Sequence, residues 1–368
     1  MRTVRRMLYR DIVSSVVFVA LAFLSLSFFI DFVDELQKIG RAGYTLWMAV
    51  AGAMLELPGN LYELLPIAVL IGTIYSMARL AQSSEFTILR TGGLSPLRAL
   101  RLLALLGLVF SALTFAIGDY IVPFTEKQTV LFKAAFSGGR KLGSTGAWLK
   151  ERRATEQGER SYSVNVSAID SRGTLVGIRI FEFDAEGRHL SRILARQGRV
   201  GADSTWTLTD ADVTTWPAAQ AGDRVQRETQ ATLRWPSTLS AGVVSAAVLP
   251  LKTMSTVELW RYSQHLSDQE QASQRYQIQF WKKALYPLAC LVLTALALPF
   301  AYLHARAGGI SLKVFGGIML GISFVLLNNV VGHIGLLRGW TPWLVAAMPS
   351  MVFMLLSLAA FGWLVRYR

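Results

Sequence analysis

Six apolar runs of bilayer length leave this chain few possible folds. Crossing the hydrocarbon takes about 20 apolar residues as a helix, because lipid offers backbone amides no hydrogen-bond partner. Ile12 to Ile30, Leu102 to Gly118, Ala284 to Tyr302, Val314 to Val331 and Trp343 to Val365 are runs of this kind. The remaining run, Leu64 to Ala78, second in chain order, reaches bilayer length only with added residues. Its helix must reach back through Glu63 and Tyr62, or as far as Trp47, with Pro58 and Pro66 predicting a kink. The 368 residues are 52% apolar, and the mean hydropathy of +0.39 lies above that of an ordinary soluble domain.

A net charge of +13 raises the question of nucleic acid. The basic residues lie beside membrane ends instead, which is the positive-inside pattern. Arg2, Arg5, Arg6 and Arg10 precede the first run, and Arg79, Arg90, Arg98 and Arg101 surround the connection between the second and third. His304, Arg306 and Lys313 join the fourth to the fifth, and Arg366 and Arg368 follow the sixth. With six spans all four groups share one side, so both termini are expected to be cytoplasmic and no nucleic acid is expected as a partner. The basic start is not read as a cleaved signal, because its apolar run is too long and no small-residue cleavage site follows. The single cysteine, Cys290, falls within the fourth run, where packing is its expected role.

The connection Ser83 to Pro96 is polar but not built like a loop. Ser83 or Ser84 can cap a helix, and Glu85 would sit in its first turn, where a carboxylate favours the helix dipole. Phe86, Leu89 and Arg90 fall on one side. Gly92-Gly93 stops the helix, and Ser95-Pro96 starts the next with a cap and a proline at the first position. One reading is an ordinary interfacial loop. The other is a coupling helix, near 83–91, that a soluble partner grips to move the spans.

From Pro123 to about Phe280 the chain is expected to be soluble and outside. Tyr162, Val164 and Val166 alternate with Ser163, Asn165 and Ser167. Ile178 and Ile180 shift phase to Phe181 and Phe183, which predicts a bulge. Strands around Trp206 and Leu208 and over Val225 to Trp235, with turn signals between them, indicate a sandwich or jelly roll. Ser255 and Glu258 form a capping box that opens a helical region, and Arg275, Tyr276, Trp281, Lys282 and Lys283 lead into the fourth span. The fold class is therefore an α-helical membrane protein with six transmembrane helices and an inserted all-β, jelly-roll-like domain. The expected divisions are 1–122 for helices one to three, 123–254 for the β-domain, 255–280 for connecting helices and 281–368 for helices four to six.

No nucleotide motif is present; Gly138 to Thr145 lacks the lysine a P-loop needs. His189, His265, His304 and His333 are scattered, so neither a metal site nor a cofactor is expected. Asn328, Asn329 and His333 are the polar residues late in the fifth span, where hydrogen bonding between helices is the expected use of the asparagines. Charges near the midplane of several helices, the mark of an ion-driven transporter, are missing. Energy for any driven work must come from a partner.

Leu65-Pro66-Ile67-Ala68, Arg79 to Glu85 and Gly93-Leu94-Ser95-Pro96 together resemble the span-two and coupling-helix signature of the LptF/LptG permease family. Phe32-Val33-Asp34, Trp148-Leu149-Lys150, Ile180 to Asp184 and Arg275-Tyr276-Gln277 extend the resemblance over nearly the whole chain, with details closer to LptG than to LptF. The resemblance implies a permease of the lipopolysaccharide-export ABC transporter in the Gram-negative inner membrane, not itself an enzyme, with its β-domain in the periplasm. It implies as partners an LptF-like permease, an LptB-like ATPase dimer, a membrane-anchored LptC-like protein, an LptA-like bridge, membrane lipids and lipopolysaccharide. Ser84, Glu85, Phe86, Leu89 and Arg90 are the expected ATPase-coupling residues, and Lys38, Arg41, Lys133 and Arg140 the expected cationic rim for lipid phosphates. Asp31 stands where some relatives carry a lysine. From another class, a membrane-anchored envelope interaction or sensor protein would carry the same β-domain without needing a coupling helix.

Overall fold

The computed structural model describes residues 2–40, 43–136, 146–155, 158–170, 174–201, 204–216, 225–240, 243–244, 247, 250–268, 273–302 and 309–366. They form two units, one of Met1–Ile39, Thr45–Glu126 and Gln277–Arg368, the other of Gly40–Tyr44 and Lys127–Tyr276.

The first unit is helical. Before the inserted strands come α1 (Arg2–Leu36), α2 (Leu46–Gln82), α3 (Glu85–Thr91), α4 (Pro96–Ala116), a π-helical turn (Ile117–Ile121) and α5 (Val122–Phe136). After them come α6 (Thr256–Asp268), α7 (Gln274–Leu285), α8 (Leu288–Leu296), α9 (Leu298–Tyr302), α10 (Ile310–Leu337) and α11 (Pro342–Arg366). Five helical runs among the described residues are long and apolar enough to cross a membrane, and α7 with α8–α9 makes a sixth, bent by 51°. The third run does not stop near Asp119: the helix continues from Pro96 to Lys133. Pro123, the expected start of the outside segment, lies inside this helix two residues after the π-turn, whose looser register accommodates a residue lacking an N–H.

Helix α2 lies at the centre of this unit. In its most apolar stretch 78% of the residues are buried, against 6% for α1, so α1 keeps most of its apolar surface outward. Gly72 makes the α1–α2 contact possible: a Cβ there would stand 2.7 Å from the Val16 backbone. The core around this contact joins Ile12 and Val16 to Val69, Met77 and Leu80, then to Leu103, Phe110, Cys290 and Leu298. Late in α10 the Lys282 ammonium reaches across from α7 and donates to the main-chain carbonyl of Asn328 at 3.3 Å.

In the second unit, β1 (Ala147–Thr155), β2 (Gly158–Ile169), β3 (Leu175–Phe183), β4 (His189–Val200), β5 (Trp206–Thr215) and β6 (Gln226–Trp235) form one antiparallel sheet. Each strand pairs with its neighbours in sequence, so the β-domain is a meander of hairpins. Alternation is the reason for its one-sided core: Leu149, Val164, Ile180 and Ile193 are consecutive cross-strand partners and all are buried. The register shift falls between Glu182 and Phe183, close to the predicted bulge. After β6 the chain folds back over the sheet, where Trp206 Nε1 donates to the Leu239 carbonyl at 3.1 Å. The fully buried Glu151 carboxylate accepts from Ser237 Oγ and the Thr238 N–H, both at 2.7 Å. The capping box is realised in both directions: the Ser255 N–H donates to Glu258 at 2.7 Å, and the Glu258 N–H to Ser255 Oγ at 3.2 Å.

Candidate functional site

Both ends of α3 are fixed by backbone chemistry that its sequence supplies. At its C-terminal end the Leu94 N–H donates to the Leu89 carbonyl at 3.0 Å, and Gly93 adopts φ +99°, a left-handed stop that favours glycine. Ser95 Oγ accepts from the Arg98 N–H at 3.4 Å to start α4, with Pro96 at the first position. Arg98 Nη1 closes the turn on the Gly93 carbonyl at 3.1 Å. At the N-terminal end the expected serine cap is not formed. Ser84 takes φ +60°, outside the extended geometry a capping residue adopts, and makes no side-chain cap bond.

The two faces of α3 differ in kind. Phe86 is buried and meets the Tyr302 ring edge-on at 4.9 Å, Leu89 packs on the same core, and the Arg90 guanidinium lies 5.9 Å from the Tyr302 ring centre. Glu85 and Ile88 face outward, Ile88 67% exposed. The result is a helix bolted to the bundle along one side, with a carboxylate and an aliphatic side chain on the other. Nearby, Arg79 at the end of α2 pairs with Asp11 of α1 at 2.9 Å. Tyr9 donates to the Leu102 carbonyl at 3.0 Å, tying α1 to α4. Helices α1, α2, α4 and α9 thus all meet beside α3. Sequence reasoning placed Phe86, Leu89 and Arg90 on one face and missed Tyr302, Asp11 and Ile88. An aromatic at the close of the fourth apolar run was the available signal for Tyr302.

The family model described as lipopolysaccharide export system permease LptF/LptG matches residues 6–364. The chain belongs to the LptF/LptG family. The lipopolysaccharide export system permease protein LptG of Escherichia coli (strain K12) is similar at 26% identity over 358 residues, covering 96% of each chain. The protein of the same name from Haemophilus influenzae is 25% identical over 357 residues, again covering 96% of each.

Of the rim residues expected in this LptF/LptG chain, Arg41 and Arg140 lie outside the described residues. Lys38 is 44% exposed and paired at 2.5 Å with Glu35, itself buried. Lys133 is half-buried near the end of α5. Asp31 accepts from Asn60 Nδ2 at 2.6 Å, which binds α1 to α2. Among the described residues no group of three or more His, Cys, Asp or Glu side chains could hold a metal ion.

Proposed function

We propose that this chain is the LptG-type permease subunit of a lipopolysaccharide exporter, and that an ATPase on the cytoplasmic side drives it by gripping α3. The observation that carries the reading is the division of α3 into a bolted face and a presented one. A rigid seven-residue helix fixed by Phe86, Leu89 and Arg90 passes a push at Glu85 and Ile88 directly into α2, α4 and α9. The chain supplies the lever, and a separate subunit supplies hydrolysis.

In this reading the α3 end and both termini are cytoplasmic, following the basic clusters beside them, and the sheet unit is periplasmic. The membrane is the Gram-negative inner membrane. The outward apolar surface of α1 suits a homologous, LptF-like permease across a lipid-accessible cleft. Lipopolysaccharide enters there, with Lys38, Arg41, Lys133 and Arg140 as the cations offered to its phosphates in this reading, and leaves along the β-domain towards an LptC-like and then an LptA-like β-domain. The divisions 1–122, 123–254, 255–280 and 281–368 are the working parts of this scheme.

Glu85→Gln and Glu85→Lys in the complex purified with its co-expressed ATPase and second permease test the coupling contact. Complex recovery, ATP hydrolysis and lipopolysaccharide release are the readouts. As a first-turn carboxylate alone, Glu85 contributes about 0.3–1 kcal/mol to its own helix, too little to disturb any of the three. Loss of docking, or hydrolysis without release, is the expected result, with Glu85→Lys the more severe. Wild-type values for both variants would make Glu85 a helix-end residue and move the contact elsewhere.

A further inference from the structure

Three helices of the first unit break at one level, and two tyrosines fill the break. Helix α2 carries Pro58 and Pro66. Pro66 has no N–H for the Tyr62 carbonyl four residues before it, so the regular ladder of α2 is interrupted one residue before Glu63. Helix α4 passes into its π-turn at Ile117–Ile121, a loosened register that occurs mostly as single turns and often at functional positions. The pair α7 and α8 bends by 51° between Leu285 and Leu288, with Pro287 in the gap.

Direct contacts join these three breaks. The Tyr62 and Tyr286 rings lie 5.2 Å apart, and the Tyr286 hydroxyl donates to the Glu63 carbonyl at 2.6 Å. Gly118, inside the π-turn, faces the Tyr62 ring so closely that an added Cβ would stand 2.3 Å from it. On the α3 side of this level the helices are locked together. A Cβ on Gly107 would be 3.0 Å from the Leu291 Cα, and Thr114 Oγ1 lies 3.2 Å from Cys290 Sγ. On the other side, α5 and α7 are continuous with the segments that lead in sequence to the sheet unit.

We propose that Tyr62, Tyr286 and Gly118 form a hinge belt, and that the Tyr286–Glu63 hydrogen bond is the latch holding it in the arrangement seen here. Sharp changes of helix direction have named causes, proline and π-turns among them, and here such causes coincide on three adjoining helices. The α3-side half moves as a block when α3 is pushed. The belt converts that movement into a change of angle in α4–α5 and α7–α8, which repositions the segments leading to the sheet. Tyr286 is a positioning residue, since it acts through the angle of the helices. This inference rests on the proposed coupling role of α3, and the experiment separates the two.

Spin labels at Val109 and Phe124, both exposed, span the π-turn, while labels at Leu97 and Leu113, also exposed, lie within α4 alone. Distances are measured in the assembled complex in nanodiscs, without nucleotide and after vanadate trapping, alongside hydrolysis and lipid release. Trapping should shift the Val109–Phe124 distribution and leave Leu97–Leu113 unchanged. Tyr286→Phe keeps the ring and removes the latch, so it should populate the shifted distance without nucleotide. The expected change in population ratio is about two- to tenfold, the amount one neutral hydrogen bond supplies. Gly118→Ala should act in the same direction by wedging Tyr62. An unshifted Val109–Phe124 distance in a complex that hydrolyses ATP and releases lipid overturns the hinge and leaves the coupling role standing. So does a Tyr286→Phe distribution identical to wild type. A wild-type trapping shift with wild-type hydrolysis and release in Glu85→Lys overturns the coupling role at α3 and leaves the hinge standing.

Discussion

The Phe86 ring on α3 meets the Tyr302 ring at the end of α9 edge-on, with centres 4.9 Å apart and planes at 82°. This contact joins residues far apart in sequence and seats the helix that the chain presents outward. Arg90 approaches the same ring from one turn further along. A force applied to α3 therefore reaches α9, and through it α8, without passing along the backbone of α4.

The Phe86–Tyr302 pair should behave as a unit. Aromatic pairs of this geometry contribute about 0.5–1.5 kcal/mol beyond their buried area. A double-mutant cycle with Phe86→Leu and Tyr302→Leu, read by hydrogen-exchange protection of residues 85–91, should give a coupling energy in that range. Both single variants should loosen α3 while leaving the sheet unit's protection unchanged. Additive effects would mean that Tyr302 only fills space beside α3.

Lys38 already has a partner in Glu35, so the proposed role of Lys38 in lipid capture predicts opposite effects from the two residues. A charge-assisted hydrogen bond is worth about 1.5–3 kcal/mol, and a phosphate must compete with Glu35 for the same ammonium. Glu35→Gln should raise the lipopolysaccharide retained on purification, and Lys38→Gln should lower it. Equal retention in wild type and both variants would leave Lys38 as a structural pair at the end of α1.

The legible parts of this chain are those whose causes lie within a few residues. Gly92-Gly93, Ser95-Pro96 and the Ser255–Glu258 box mark helix ends because capping is local chemistry, and strand alternation marks the sheet's buried face for the same reason. Apolar length revealed the spans. Tyr302, Asp11 and Tyr286 could not be paired with Phe86, Arg79 and Glu63 from sequence, because those pairings depend on which helices pack together. Ser84 misled because a serine caps a helix only from an extended backbone, and its left-handed φ here lacks that geometry. The end of the apolar run near Gly118 did not mark the end of the third helix, because a helix can continue into polar sequence and here runs on to Lys133.

Glu182 gives the sheet unit an acid-sensitive point. Burial opposes ionisation of its carboxyl, but hydrogen bonds from Ser191 Oγ at 2.5 Å, from Arg160 and from Tyr162 at 3.1 Å outweigh that, and its pKa falls below the ordinary 4.5. A carboxylate whose folded pKa is depressed stabilises the fold fully above its unfolded pKa, because the folded state then holds the charge more favourably than the unfolded chain does. That stability is lost as pH falls from about 4.5 through the lower folded value. Hydrogen-exchange protection of β2 to β4, corrected for the intrinsic pH dependence of exchange, should therefore be flat above that window and decline within it. Glu182→Gln should lower protection at neutral pH by about 1–3 kcal/mol, the cost of leaving buried partners unmatched, and should flatten the acid decline. An acid decline of unchanged size in Glu182→Gln would assign the sensitivity to another group of the sheet unit.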